Sequence, residues 1–318
     1  MSRYIVKRIL LMIPVLIGVI VIVFTIMFFA PGDGAYIVLG PDASLEAVEV
    51  YREARGLNDP YAIQLFRYIY NVVFKFDLGK SYRSNVPVIY EILEKFPNTA
   101  ILAVAGVFFG AVLGVAAGVV SAVKQYSIWD RVCVAVALFG IATPTFWLAM
   151  MLVILFSVQT RMLPASGIGS FKHWILPVIT LSLYESGFIM RMSRSAMLDI
   201  VRQDYIRTAR AKGQKETVVI LKHVFRNALM PIVTVIGLEI CVLLAGAIVV
   251  ESVFAIPGIG KYCYDAILTR DFPAVQGSLL FISLLCVIVN LIMDLTYGLI
   301  DPRIKSIYNS KRGVTLKG

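Results

Sequence analysis

Charge is what this sequence has least of. Only 16% of its 318 residues are Asp, Glu, Lys or Arg, against about 25% in a soluble domain. Apolar residues stand at 59%, above the roughly 45–50% of a soluble chain, and the mean hydropathy is +0.82. That balance excludes disordered, collagenous and coiled-coil chains. It also excludes two soluble domains of ~150 residues each, because the apolar residues come in blocks long enough to cross a bilayer. Histidine is nearly missing: His173 and His223 supply neither H-E-x-x-H nor a metal cluster. Cysteine is sparse too. Cys133, Cys241, Cys263 and Cys286 stand singly, with no C-x-x-C pair, so neither a zinc site nor a disulfide framework is indicated. They read as small apolar fillers. No G-x-S-x-G elbow occurs. Pro257-Gly258-Ile259-Gly260-Lys261 superficially resembles a phosphate loop, but Ala255 stands where that loop needs glycine and Tyr262 where it needs Ser or Thr.

What the sequence does have is spans. A membrane-crossing helix needs about 20 mostly apolar residues, and six stretches qualify: 9–30, 98–121, 132–158, 174–190, 228–250 and 277–299. The fourth is the shortest and carries Glu185. The first follows Arg3, Lys7 and Arg8 as a secretory signal would. Its apolar run exceeds an h-region of about 7–15 residues, and bulky Phe28 spoils a cleavage site. It is expected to be an uncleaved span. The fold class expected is an all-α polytopic membrane protein with six transmembrane helices.

Basic residues decide orientation. With a cytoplasmic N-terminus, nineteen Lys and Arg fall on the inner side and four in the short outer loops. Seven more lie in the long outer segment, which largely escapes the rule. Both termini are therefore expected in the cytoplasm, and the formal charge of +10 reflects topology rather than nucleic-acid binding. The organisation expected is a cytoplasmic N-terminus and first span at 1–30, an extracytoplasmic helical segment at 31–97, a five-helix core at 98–300 and a cytoplasmic tail at 301–318.

In the outer segment, Ser44 or Asp42 could cap a helix ending near Gly56. Asn58-Asp59-Pro60 gives a cap with proline at the first helical position, and the next helix would carry Tyr61, Leu65, Tyr68 and Val72 on one side. Pro87 is expected to start a short helix lying at the interface, with Ile89, Ile92, Leu93 and Phe96 on its apolar face. A packed cap without a ligand of its own accounts for the segment.

The inner segment 191–227 is more telling. Asp204 can cap a helix through Lys212, and Gly213 stops it. A second helix near Lys215 would place Val218, Leu221, Phe225 and Ala228 in a stripe. Two short helices around a glycine suit a docking platform; a basic loop resting on anionic headgroups is the alternative. Charged groups inside spans are costly and default to functional candidates. Glu185, Glu239 and Asp294 are the three, with Asn290 one turn before Asp294. They serve either as polar contacts between helices or subunits, or as pathway groups.

The run from Asp204 through Tyr205, Ile206, Arg207, Thr208, Ala209, Arg210, Ala211 and Lys212 to Gly213, followed by Gln214, Lys215 and later Arg226-Asn227-Ala228-Leu229-Met230-Pro231, resembles the cytoplasmic loop of binding-protein-dependent ABC importer permeases. It looks most like the dipeptide, oligopeptide and nickel branch, in the subunit with a long first outer loop. Further signatures agree in order: Arg55-Gly56-Leu57-Asn58-Asp59-Pro60, Asp77-Leu78-Gly79-Lys80-Ser81, Thr143-Pro144-Thr145-Phe146-Trp147, Val250-Glu251-Ser252-Val253-Phe254 with Pro257-Gly258-Ile259-Gly260, and Asp301-Pro302-Arg303. The general motif opens Glu-Ala-Ala where this chain has Arg207-Thr208-Ala209, so a Glu contact to an ATPase does not carry over to Arg207. The resemblance implies type I permease architecture, with the loop from Asp204 to Lys215 coupling the chain to partner ATPases. Ala209 and Ala211 are expected to let that partner approach closely. It further implies a second homologous permease, two cytoplasmic ATPases and an external binding protein that delivers the substrate. ATP and Mg2+ would be bound by the ATPases, with no cofactor on this chain, which is not itself an enzyme. The setting implied is a bacterial or archaeal inner membrane. Di- and oligopeptides are the implied substrates, with nickel or glutathione-like ligands as alternatives; an ion-coupled secondary transporter is the reading from another class.

Overall fold

The computed structural model describes residues 2–300; the expected tail 301–318, with Asp301-Pro302-Arg303, lies outside the described residues. Among the described residues the chain is helical throughout, with one isolated bridge between Lys80 and Pro87. Helix α1 (Ser2–Phe29) contains an apolar span, Leu10–Phe29. The segment expected on the outer side follows as α2 (Gly34–Leu39), α3 (Leu45–Arg55) and α4 (Tyr61–Lys75). Ser44 caps α3 by accepting the Ala47 N–H at 3.2 Å, and Gly56 ends it at φ 64°. Pro60 takes the cap position of α4 instead of its first turn. The side of α4 bearing Tyr61 and Tyr68 packs against α1. Tyr68 lies 5.3 Å from the Phe24 ring, and Tyr61 shares a 2.7 Å hydrogen bond with Thr25.

Helix α5 (Val88–Val123) differs from the expectation of a short interfacial helix followed by a span. It runs unbroken for 36 residues, through Pro97. The reason is packing: Val88 and Ile92 are fully buried in a cluster with Ile259, Ala274 and Val275, so the first turns belong to the fold rather than to the membrane surface. α5 makes its largest interface with α8 (Lys172–Val201). Gly106, Gly110, Gly114 and Gly118 form the seam. A Cβ at Gly114 would sit 2.7 Å from the Ser186 carbonyl oxygen, and one at Gly118 2.6 Å from the Ser193 Cβ. Small residues four apart let two membrane helices approach backbone to backbone.

The third expected span is not one helix. α6 (Ile128–Ala142) and α7 (Thr145–Val153), with π-helical turns continuing α7 to Gln159, meet at 96°. Pro144 lacks the N–H that would continue the ladder and drives the preceding residue out of the helical region; Thr143 is extended at ψ 123°. The fifth span also ends early. Helix α10 (Glu216–Val218) passes through π-helical turns (Val219–Phe225) into α11 (Arg226–Leu244). The chain then turns at Gly246, φ 127°, into α12 (Ile248–Val253) and α13 (Ile259–Leu268). Helix α14 (Phe272–Ile300) closes the described fold. Counting the bent pair as one crossing, six segments among the described residues are long and apolar enough to span a membrane.

Candidate functional site

The segment expected on the inner side begins later than its polarity suggests, because α8 stays helical to Val201. Helix α9 (Asp204–Ala211) follows. Its N-cap is Gln203, not Asp204, and no side chain closes the cap; Asp204 occupies the first turn, where its carboxylate complements the helix dipole. Gly213 ends the helix at φ 75°, donating to the Arg210 carbonyl at 2.9 Å. Two clasps then close the loop. Arg210 donates to both carboxylate oxygens of Glu216, at 2.7 and 3.1 Å, and His223 Nε2 lies 2.8 Å from Gln214 Oε1. Asn227 links back to the Tyr205 hydroxyl at 3.3 Å.

Burial corrects two expectations. Ala209 does not face outward: with fully buried Ile206 it is the anchor of α9 in a cluster with Met197, Val219, Val224, Ala228 and Ile232. Ala211 stays exposed. The stripe expected from Val218 and Leu221 is also displaced, for these side chains are 40% and 62% exposed. The buried positions are Val219 with Ile220 beside it, then Val224 five residues after Val219, then Ala228 and Ile232 at spacing four. The π-helical stretch puts more residues in each turn, and a 3.6-residue period cannot follow it. The outer face of the platform therefore presents Tyr205, Arg207, Thr208, Lys212, Gln214, Lys215, Val218 and Leu221.

Above the platform a buried brace ties three helices. Arg194 of α8 donates to both Asp130 carboxylate oxygens of α6, at 2.9 and 3.0 Å, and Ser121 of α5 hydrogen-bonds both partners. The Tyr126 N–H completes the carboxylate's contacts at 2.9 Å. Neither this brace nor the glycine seam was among the residues singled out from the sequence. The spacing of Gly106, Gly110, Gly114 and Gly118 is a readable signal; the brace, with partners 64 residues apart, has none.

The four polar residues of the spans divide. Glu185 is fully buried against α5 at Gly110, where its carboxyl meets the Glu239 carboxyl of α11. Asp294 is elsewhere, paired with Arg8 of α1 at 2.9 Å. Asn290 is exposed on α14. The fold also brings Cys241 and Cys286 together as free thiols, each contacting the other's carbonyl.

The glycine-rich run at 257–261 wraps an acidic side chain of the chain's own. Glu251 accepts the Thr99 hydroxyl at 2.7 Å and the Lys261 N–H at 2.8 Å, and a Cβ at Gly258 would fall 2.1 Å from its Oε1. In the segment that links the first two spans, a cavity of about 460 Å³ between α1, α3 and α14 holds the Asp33–Arg52 ion pair. Burial raises the Asp33 pKa, while the Arg52 guanidinium and the Ala35 N–H more than offset that, leaving it below its ordinary value.

Helices long and apolar enough to span a membrane, with a platform of short helices packed onto them, are the frame of a multi-pass membrane component. Residues 110–306 match the family described as binding-protein-dependent transport system inner membrane component, and residues 1–103 match its N-terminal counterpart. The chain belongs to this family and is a permease component of an inner-membrane transport system. The dipeptide transport system permease protein DppB of Alkalihalophilus pseudofirmus is 40% identical over 333 residues, 96% of this chain and 100% of the relative. The glutathione transport system permease protein GsiC of Escherichia coli is 40% identical over 305 residues, 96% of this chain and 99% of the relative. An inward-facing structure of the MetNI methionine ABC transporter shares the fold, with a TM-score of 0.58 at 19% identity over 67% of this chain and 97% of that one.

Proposed function

We propose that this chain is one of two permeases that together form the pathway of an ATP-driven importer for short peptides, glutathione among them. Two cytoplasmic ATPases dock on the platforms of the permeases, bind ATP and Mg2+ and supply the hydrolysis; an extracytoplasmic binding protein delivers the substrate. Both termini lie in the cytoplasm, and the chain binds no cofactor. The observation that carries the reading is the platform itself. Its inner side is locked into the helix core by Ile206 and Ala209, while its outer side offers cations and two exposed apolar residues, Val218 and Leu221. A fixed surface of mixed chemistry suits a protein partner better than a headgroup layer, which needs no clasps. Relatives at 40% identity that are named for dipeptide and glutathione transport support the substrate class.

The test is reconstitution. Vesicles holding the permease pair, ATPases and binding protein should accumulate dipeptide only with internal ATP. Uptake that persists on ATP depletion while a proton gradient is held would make the chain a secondary transporter. The highly purified chain alone should not hydrolyse ATP.

A further inference from the structure

The inner half of the α6–α8 boundary carries a groove of about 390 Å³. Its character changes along its length. Val134 and Leu138 give it an apolar flank on α6, and Leu138 is exposed. Arg191, Arg194 and Arg202 line the α8 side, together with one carboxylate, Asp199. Spacings of three and eleven keep the three arginines on one helix face, spread over about 16 Å of axis at 1.5 Å per residue. Arg194 is already neutralised by Asp130. Arg191 and Arg202 are exposed and form no ion pair with another described residue, so two guanidiniums face a single acid, Asp199.

An arginine that merely marks the inner side of a membrane protein needs only water around it. Here the cations stand in a groove whose other wall is apolar and which runs from the α8 cytoplasmic end toward the bilayer interior. An anionic head with an apolar tail satisfies both walls. A free anion leaves the Val134–Leu138 flank unused, and an acidic protein segment would have to lay its backbone along that apolar wall. We infer that the groove holds the phosphate headgroup of an anionic inner-leaflet phospholipid between Arg191 and Arg202, with an acyl chain along Val134 and Leu138. Basic pockets between transmembrane helices on the cytoplasmic side favour such headgroups. Because Arg202 adjoins Gln203, the N-cap of α9, the lipid would steady the end of α8 from which the platform hangs.

The experiment uses the full transporter purified with its partner subunits. Phosphatidylglycerol retained per complex is measured by native mass spectrometry, and the thermal midpoint is read with added phosphatidylglycerol, phosphatidylcholine or inorganic phosphate. The wild type should retain phosphatidylglycerol and be stabilised by it, not by the other two. Arg191→Gln with Arg202→Gln should weaken retention by roughly 10- to 30-fold. Lys222→Gln with Arg226→Gln removes the same charge from the same side of the membrane and should leave retention unchanged. A photocrosslinking residue at Leu138, in the otherwise wild-type complex, should capture lipid. Equal retention by the arginine variant, stabilisation by inorganic phosphate equal to that by the lipid, or crosslinking of Leu138 to a protein subunit would each overturn the assignment.

Discussion

Replacing Gly213 isolates the backbone geometry of the platform from its packing. The residue holds φ 75°, and nothing stands within 4 Å of where a Cβ would point. A side chain there meets no obstacle, so its cost is conformational alone: about 1–3 kcal/mol for a non-glycine residue held left-handed, with valine at the upper end because it is β-branched. That strain can be relieved in two ways. Moving Ile206 or Ala209 would open a buried cluster, whereas loosening the exposed Arg210–Glu216 clasp sacrifices an interaction worth about 0.2–1 kcal/mol. The clasp yields first. Gly213→Val should thus insert and fold normally while the surface from Lys212 to Leu221 loses its fixed shape. If ATPase docking depends on that shape, each ~1.4 kcal/mol weakens it tenfold, and affinity should fall roughly 10- to 100-fold. The assay is affinity of the purified ATPase for permease in nanodiscs, alongside peptide uptake in cells. Gly213→Asn supplies the control, since asparagine tolerates this backbone region. It should keep most of both activities. A valine variant that inserts, binds the ATPase as the wild type does and transports normally would refute the reasoning.

Three further outcomes are expected. Asp130→Ala strands Arg194 in the brace and should cost roughly 3 kcal/mol, read as a lowered melting temperature in detergent, with Asp130→Asn milder. Gly118→Val sets a side chain against the Met190 carbonyl oxygen and the Ser193 Cβ, 2.9 and 2.6 Å away, and should abolish accumulation of folded protein by parting α5 from α8, whereas Gly18→Ala, with open space around it on the helical backbone of α1, should leave expression intact. In the segment between the first two spans, Asp33 has a folded pKa below its unfolded value, so its contribution is present above the ordinary aspartate range and is lost as pH falls through the folded value. Acidification of the purified protein to that range should speed proteolysis of residues 31–60, and Asp33→Asn should remove the pH dependence; an unchanged profile would count against the Asp33–Arg52 ion pair.

The spans were legible because a bilayer demands about 20 apolar residues whatever the neighbours are. Gly213 was legible as well, since left-handed backbone has few occupants. Tertiary context was not. Nothing local in Val88–Phe96 says that its apolar face meets α13 and α14 rather than headgroups, and that contact alone turns an interfacial helix into the start of α5. Pro144 did carry a warning of a break, outweighed by the apolar residues on both sides. The Val218–Leu221 stripe failed because a π-helical stretch shifts the phase and leaves no mark in the composition. Glu185 and Glu239 are 54 residues apart in sequence and meet only through the packing of α8 on α11, whereas Asp294, equally acidic, finds Arg8. Residue type alone could not separate those fates.

The glycine seam has a mechanical consequence. From Val178 to Val201, α8 is about 36 Å of uninterrupted helix at 1.5 Å per residue, and its backbone lies directly on α5 with almost no side chains between to absorb displacement. Such a pair amplifies angle into distance. A tilt of about 5° imposed where α8 meets the platform swings its far end by about 3 Å over that length, comparable to the diameter of a water molecule. Flexible, interdigitated side chains along the seam would have dissipated part of that swing; four glycines deliver nearly all of it to the opposite side of the membrane.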